Sequence, residues 1–121
     1  IVSDYMESGF LENIIGMFRH DRSLYSLLPG LMSDERGRVR LGAAALVESL
    51  KEEHGKEIVA SIPHIAALLG HPNPTIRADA AYLLGVIGHF DALPYLEGSR
   101  FDENEAVRQL ILETIEGLSE G

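Results

Sequence analysis

Two stretches of this chain share one internal spacing. Residues 63–77 read PHIAALLGHPNPTIR and residues 94–108 read PYLEGSRFDENEAVR. Each opens on a proline and closes on an arginine at the same separation, with a β-branched residue (Ile76, Val107) just before the arginine and a polar turn between. Residues 34–40, DERGRVR, repeat the turn and the β-branched–arginine pair as Val39 and Arg40. Arg40 stands somewhat further from Arg77 than Arg77 does from Arg108, the extra length falling in KEEHGKE at 51–57. A unit recurring at this period predicts stacked helical repeats, each too small to bury its apolar face alone.

The local patterns agree. Residues 92–98 predict a short first helix, 102–105 a turn, and 105–118 a second helix with Val107, Ile111, Leu112, Ile115 and Leu118 on one face. The middle unit predicts helices over 56–69 and 75–87 around the break GHPNP, with Pro74 suited to a first helical turn and Gly88 to the left-handed position after the end. The preceding unit predicts helices over 23–32 and 38–53. Its Pro29 stands closer to Arg40 than Pro63 does to Arg77, so its first helix is shorter or irregular. Residues 75–88 are apolar nearly all round, as expected of a helix packed on two sides, and Ala80 and Ala81 permit close approach. Gly37, Gly55, Gly70, Gly88 and Gly98 fall at unit boundaries, where chain reversal is expected to require them. Tyr82 is the one aromatic on its helix, and both a core position and an exposed binding position remain open for it.

The expected architecture is all-α: a right-handed α-α superhelix of about three helix pairs in one domain. Residues 1–20 form an N-terminal cap, and 21–55, 56–89 and 90–121 form the repeats. Residues 4–18 place Tyr5, Phe10, Leu11, Ile14, Ile15, Met17 and Phe18 on a broad apolar stripe. A terminal repeat needs its open face covered, which makes this segment a cap; a dimerisation helix is the alternative. No strand-type alternation or hairpin signal is present.

Composition narrows the function classes. The chain has 121 residues, 45% of them apolar, enough for a real core. It has no cysteine, which excludes disulfides, zinc–thiolate sites and cysteine nucleophiles and suits the cytoplasm. No apolar run approaches the roughly 18 residues of a membrane span, and no basic-then-apolar leader opens the sequence. Nineteen acidic against ten basic residues give a formal charge of −9. Nucleic-acid binding needs a cationic footprint, so a basic partner protein is the better electrostatic match.

At Asp34/Arg40, Pro63/Arg77/Ala80/Ala81/Leu84/Gly85 and Pro94/Asp102/Arg108, residues 23–118 resemble HEAT repeats, and most closely the short HEAT-like repeat of phycobilin lyases. The middle repeat carries the fullest match, with Arg-x-x-Ala-Ala and a helix-ending Leu84-Gly85; the third has Ile111 and Leu112 in place of alanines. The resemblance implies a scaffold and gives the turn aspartate and second-helix arginine a structural role, on Asp34 with Arg40 and Asp102 with Arg108. Asp102 is expected to accept from turn or helix-start N–H groups and to lie near Arg108 or the arginine of the preceding repeat. His71 stands at the aspartate position of the middle repeat, so Arg77 is expected to bond a carboxylate of a neighbouring repeat or backbone carbonyls.

Catalytic and metal constellations are missing from the sequence. The five histidines contain no i, i+3 or i+4 pair; His54 and His89 fall where second helices finish, where a cationic ring favours the helix dipole. The acidic clusters are spelled like solvated surface. No phosphate loop or nucleophile elbow occurs. No cofactor and no enzymatic activity are expected. A lyase-type enzyme component and a self-assembling module are the alternatives to an interaction scaffold. In such arrays the second helices line one face. Counting from each arginine, Leu41, Tyr82, Gln109, Glu48, Glu113 and Glu116 fall on that side, with Glu52 at its edge. The expected site is therefore a groove centred on Tyr82 with an acidic rim that binds a basic segment of another protein, and the fallback is the apolar N-terminal segment around Phe10 and Ile14.

Overall fold

The structure, a computed structural model, describes residues 2–7 and 11–120, with the backbone alone for residues 5–7. The described residues are helices and turns, without strands. The chain divides into two compact units, residues 1–61 and 62–121. In the first, α1 (Val2–Glu7) and α2 (Leu11–His20) pack on α4 (Gly37–Leu50), which pairs with α3 (Leu28–Met32). A 3-10 segment, Arg22–Leu27, leads into α3, and α5 (Gly55–Ala60) packs against that segment. In the second, α6 (Ile62–Ala66) and a 3-10 segment, Ala67–Gly70, pair with α7 (Pro74–Ile87). A further 3-10 segment, Phe90–Ala92, and α8 (Leu93–Gly98) precede α9 (Glu105–Glu120), which packs on both α7 and α8.

The first helices are not the single runs predicted over 23–32 and 56–69. Each repeat builds its first helix from short segments, and Pro29, Pro63 and Pro94 each occupy the second position of an α-helical one. A proline lacks the N–H that would reach back to the carbonyl four residues earlier, and its ring crowds that carbonyl, so a helix restarts there instead of running through. In the middle repeat the run stops at Ala60. The Ser61 N–H donates to the carbonyls of Glu57 and Ile58 (3.2 and 3.0 Å), and its hydroxyl donates to Glu57 at 3.0 Å.

The second helices are longer and cleaner, but α4 ends at Leu50 rather than near residue 53, and residues 51–53 form a turn. Asn73 caps α7 by accepting from the Thr75 N–H, and Gly88 closes it at φ +69°, its N–H donating to the Leu84 carbonyl. Of the boundary glycines, only Gly88 has a positive φ; the other four take conformations open to any residue. Gly85 does not end the helix, which runs on to Ile87.

Packing explains which helix faces are apolar. Ile14, Phe18, Leu28, Met32, Val39, Leu46 and Leu50 are fully buried in the first unit, and Ile65, Ile76, Ala80, Leu83, Leu96 and Ile111 in the second. A large aliphatic side chain so placed contributes about 1.5–3 kcal/mol. α7 buries Arg77, Ala81 and Leu84 as well, whereas α9 buries only Val107 and Ile111. In the N-terminal stripe Ile14, Ile15 and Phe18 face the core. Phe10, and the side chain of Tyr5, lie outside the described residues.

His54 does not finish α4; it is the residue that precedes α5. Its ring is buried, with Nδ1 2.8 Å from the Tyr25 hydroxyl, and Tyr25 meets the rings of Phe18 and His54 edge-on at 5.2 and 5.6 Å. Burial, reinforced by the charge of Glu57 and opposed by Arg22, pushes the Tyr25 pKa up to about 12, so the phenol keeps its proton across the neutral range. His89 acts as an acceptor: its Nδ1 takes the Asp91 N–H at 3.1 Å, capping the segment that follows.

Gly88→Ala places a Cβ at a left-handed position and is expected to lower unfolding free energy by about 1–2 kcal/mol in urea titration, with helical circular dichroism unchanged. The Tyr25–His54 contact gives a second expected outcome. Because the folded chain holds the Tyr25 proton more tightly than the unfolded chain does, its contribution is complete below pH 10.0 and declines as pH rises towards 12. Tyr25→Phe removes that alkaline decline, measured as the urea midpoint between about pH 9 and about pH 12.

Candidate functional site

The turn between helices has the same construction three times. The residue that opens it accepts the N–H two positions on: Asp34 from Arg36 (2.9 Å), His71 through Nδ1 from Asn73 (3.0 Å), Asp102 from Asn104 (2.9 Å). An imidazole nitrogen thus replaces a carboxylate oxygen in the middle turn without changing its form. The arginine near the start of each second helix then reaches back to the carbonyl six residues earlier. Arg40 Nη1 donates to Asp34 at 2.6 Å, Arg77 Nη1 to His71 at 2.9 Å, and Arg108 Nη1 to Asp102 at 3.0 Å.

Within a repeat, then, the arginine meets the turn's carbonyl and not its carboxylate. The Asp102 carboxylate belongs instead to Arg77, which donates through Nε and Nη2 at 2.8 and 3.1 Å. The two side chains are 7% and 9% exposed. Burial opposes the charged form of Asp102, but the hydrogen bonds from Arg77 and the Asn104 amide outweigh it and hold the pKa below the ordinary 3.8. Asp34 is served from its own turn by Arg36 Nε and Nη2, both at 3.0 Å, while Arg36 Nη1 reaches Asp4 on α1 at 3.0 Å. Those Arg36 hydrogen bonds lower the Asp34 pKa.

With its turns so fixed, the second unit holds α9 close against α7. A Cβ at Gly85 would lie 3.3 Å from the Thr114 methyl carbon, and Thr114 turns its hydroxyl to the Leu110 carbonyl at 2.8 Å. Beside this crossing is an open groove of about 560 Å³, with Tyr82 and Val86 on the α7 side and Leu110, Glu113 and Leu118 on the α9 side. Tyr82 is 50% exposed, which decides its position in favour of the surface. Gln109 Nε2 donates to Glu113 Oε1 at 3.4 Å, one turn along α9. The groove offers an apolar floor, a phenol and one carboxylate. No group of three or more histidine and carboxylate side chains suited to a metal occurs among the described residues.

A family model for HEAT repeats matches residues 24–116. The chain belongs to the HEAT-repeat family. Comparison with curated proteins and with solved structures returned no match. HEAT repeats are in general protein-interaction scaffolds and typically not enzymes. No helix among the described residues is long and apolar enough to cross a membrane.

Of the residues expected to bind, the structure brings Tyr82 and Glu113 onto one groove, with Gln109 bonded to Glu113. Glu116 is exposed on α9 outside the groove lining. Leu41, 72% exposed, and Glu48 lie on α4 of the first unit, and Glu52 lies in the turn after it rather than on a helix face. Ile14 is fully buried and offers no surface to a second copy. Val86, Leu110 and Leu118 were not anticipated as site residues. Their one usable signal is helical spacing, since Val86 follows Tyr82 by one turn.

Arg77→Gln strands a buried carboxylate and two turn carbonyls, and lowers stability by about 3 kcal/mol in chemical denaturation; Arg108→Gln loses a single half-buried bond and costs about 1 kcal/mol. Since the folded-state pKa of Asp102 is depressed, its contribution is present above pH 3.8 and disappears as pH falls through the folded value. Asp102→Asn flattens that acid limb, measured as the urea midpoint against pH.

Proposed function

We propose that this HEAT-repeat chain is a non-enzymatic interaction module that docks a basic segment of a cytoplasmic partner protein in the α7–α9 groove. The observation that carries this reading is the groove itself, where a half-exposed tyrosine and apolar side chains meet the Glu113 carboxylate. A partly exposed aromatic with a charged rim is the common composition of a protein-binding hot spot. Tyr82 supplies rigid contact area, and its hydroxyl supplies a polar tip for a hydrogen bond. Glu113, with Glu116 on the same helix and a formal charge of −9 on the chain, attracts a lysine or arginine flanking the partner's apolar anchor. Leu41, Glu48 and Glu52 supply further acidic and apolar surface on the first unit.

An enzyme reading has less support. The groove's one hydroxyl besides Tyr82, that of Thr114, donates to its own helix, and its one carboxylate, Glu113, is exposed and accepts from Gln109. Catalytic pockets converge several polar groups on one point.

Selection of peptides from a random display library against the full chain tests the proposal. Enriched sequences carry an apolar residue beside lysine or arginine. Tyr82→Ala and the Glu113→Lys/Glu116→Lys pair each weaken the selected peptides about tenfold, with helical circular dichroism unchanged. Affinity also falls as salt rises from about 0.05 to about 0.3 M. Selected peptides without net positive charge, or insensitive to both variants, would place the interaction elsewhere.

A further inference from the structure

Three glycines line the α7–α9 groove, Gly85, Gly88 and Gly117, and the fold accounts for two of them. A Cβ at Gly85 would stand 3.3 Å from the Thr114 methyl carbon, tighter than side chains ordinarily pack. Gly88 ends α7 in the left-handed conformation, at φ +69°. Gly117 has neither reason. Its φ is not positive, and a Cβ there would meet nothing within 4 Å among the described residues. Yet it lies inside α9, where glycine weakens a helix relative to alanine because the unfolded chain has more freedom to lose.

The placement of Gly117 supplies the reason. At about 100° per residue it falls between Glu113 and Thr114 on the side of α9 that also carries Leu110, the side turned to the groove. A side chain at this position would extend into the groove. Half-buried Val86, Leu110 and Leu118 and the exposed ring of Tyr82 border the same space of about 560 Å³, so apolar walls stand around a stretch of bare backbone. Glu113 is the one charged residue of the lining, and no lysine, arginine or histidine stands there to answer it. It precedes Gly117 by one turn, about 6 Å along the helix axis.

We propose, resting on the docking reading above, that Gly117 determines the specificity of the groove. The partner protein seats a large apolar side chain, aromatic or leucine, on the bare backbone at Gly117 and sets a lysine or arginine on Glu113 one turn away. The anchor gains the apolar contact of walls that are otherwise open to water, and the basic residue fixes its direction along α9. Both groups come from one short face of the partner, since their seats lie only about 6 Å apart.

A steric exchange tests this. Peptides selected on the full chain from a random display library are titrated against it and against Gly117→Ala and Gly117→Val. Gly117→Ala raises the melting midpoint by about 1–3 °C, because alanine suits a helix better and displaces nothing in the fold. The same variant weakens the peptides about fivefold, and Gly117→Val about tenfold or more, with helical circular dichroism unchanged. A gain in stability joined to a loss of binding cannot come from damaged folding. Trimming the peptide's anchor to alanine weakens it on the original chain, but costs less on Gly117→Val, so the two changes together fall short of their sum. A lowered midpoint for Gly117→Ala would overturn the proposal by giving the glycine a place in the fold. Peptides that need Tyr82 and Glu113 but bind Gly117→Val undiminished also overturn it, while leaving the docking reading intact. Peptides indifferent to all three residues remove both. A concentration-dependent dimer of the chain that Gly117→Val abolishes assigns the groove to a second copy, and the proposal fails there too.

Discussion

The guanidinium of Arg77 joins three levels of structure with a single set of donors. Nη1 holds the carbonyls that end the turn before α7, which fixes where that helix begins. Nε and Nη2 hold Asp102, which fixes the next turn against the first. Asp102 in turn accepts the Asn104 amide, and Asn104 caps the first turn of α9 by accepting the Val107 N–H. A lysine in this place would supply one point of charge and could not divide its donors between two turns in fixed directions. Both partners are buried, so either one alone would be left with an uncompensated charge, and this makes the pair specific as well as stabilising.

Asp34 and Asp102 are satisfied from different places. The Asp34 carboxylate is held by Arg36 of its own turn, which also reaches Asp4 on α1. α1 and α2 pack on α4, and Ile14, Ile15 and Phe18 of α2 are buried. The Asp102 carboxylate is held by Arg77 of the preceding repeat. α9 carries leucine where α7 carries alanine, and buries one stripe of side chains where α7 buries two.

Much of the helix order was legible because it rests on strong local signals: the β-branched–arginine pair, Pro74 at a helix start, Gly88 at its end. The broken first helices were not. Residues 56–69 keep a helical apolar period on both sides of Pro63, and periodicity does not register a missing hydrogen bond. The partner of Asp102 stayed open between Arg108 and the arginine of the preceding repeat. Its position in the sequence brings Arg108 equally near the carbonyl and the carboxylate of Asp102, and only the presence of Arg77 from the preceding repeat settles which oxygen goes to whom. His54 was misjudged because nothing near it in sequence announces Tyr25, 29 residues earlier, as its partner. In the groove, Tyr82 stood out as the one aromatic on its helix and Glu113 followed from counting along the helix from Arg108, while Val86, Leu110 and Leu118 look like core. Only the packing of α9 on α7 shows that they line a groove.

The groove of the second unit sets Tyr82 and apolar side chains of α7 and α9 beside the Glu113 carboxylate. On the proposed reading, contact area and long-range charge govern what it accepts, so many sequences of one polarity can share it. Arg108 keeps its Nη1 on the Asp102 carbonyl, within its own repeat. A Cβ at Gly85 would meet the Thr114 methyl at 3.3 Å, so α9 lies close to α7 there, while Arg77 of α7 holds the turn that leads into α9. Gly85 and Thr114 also line the groove, so the close contact of the two helices forms part of its wall.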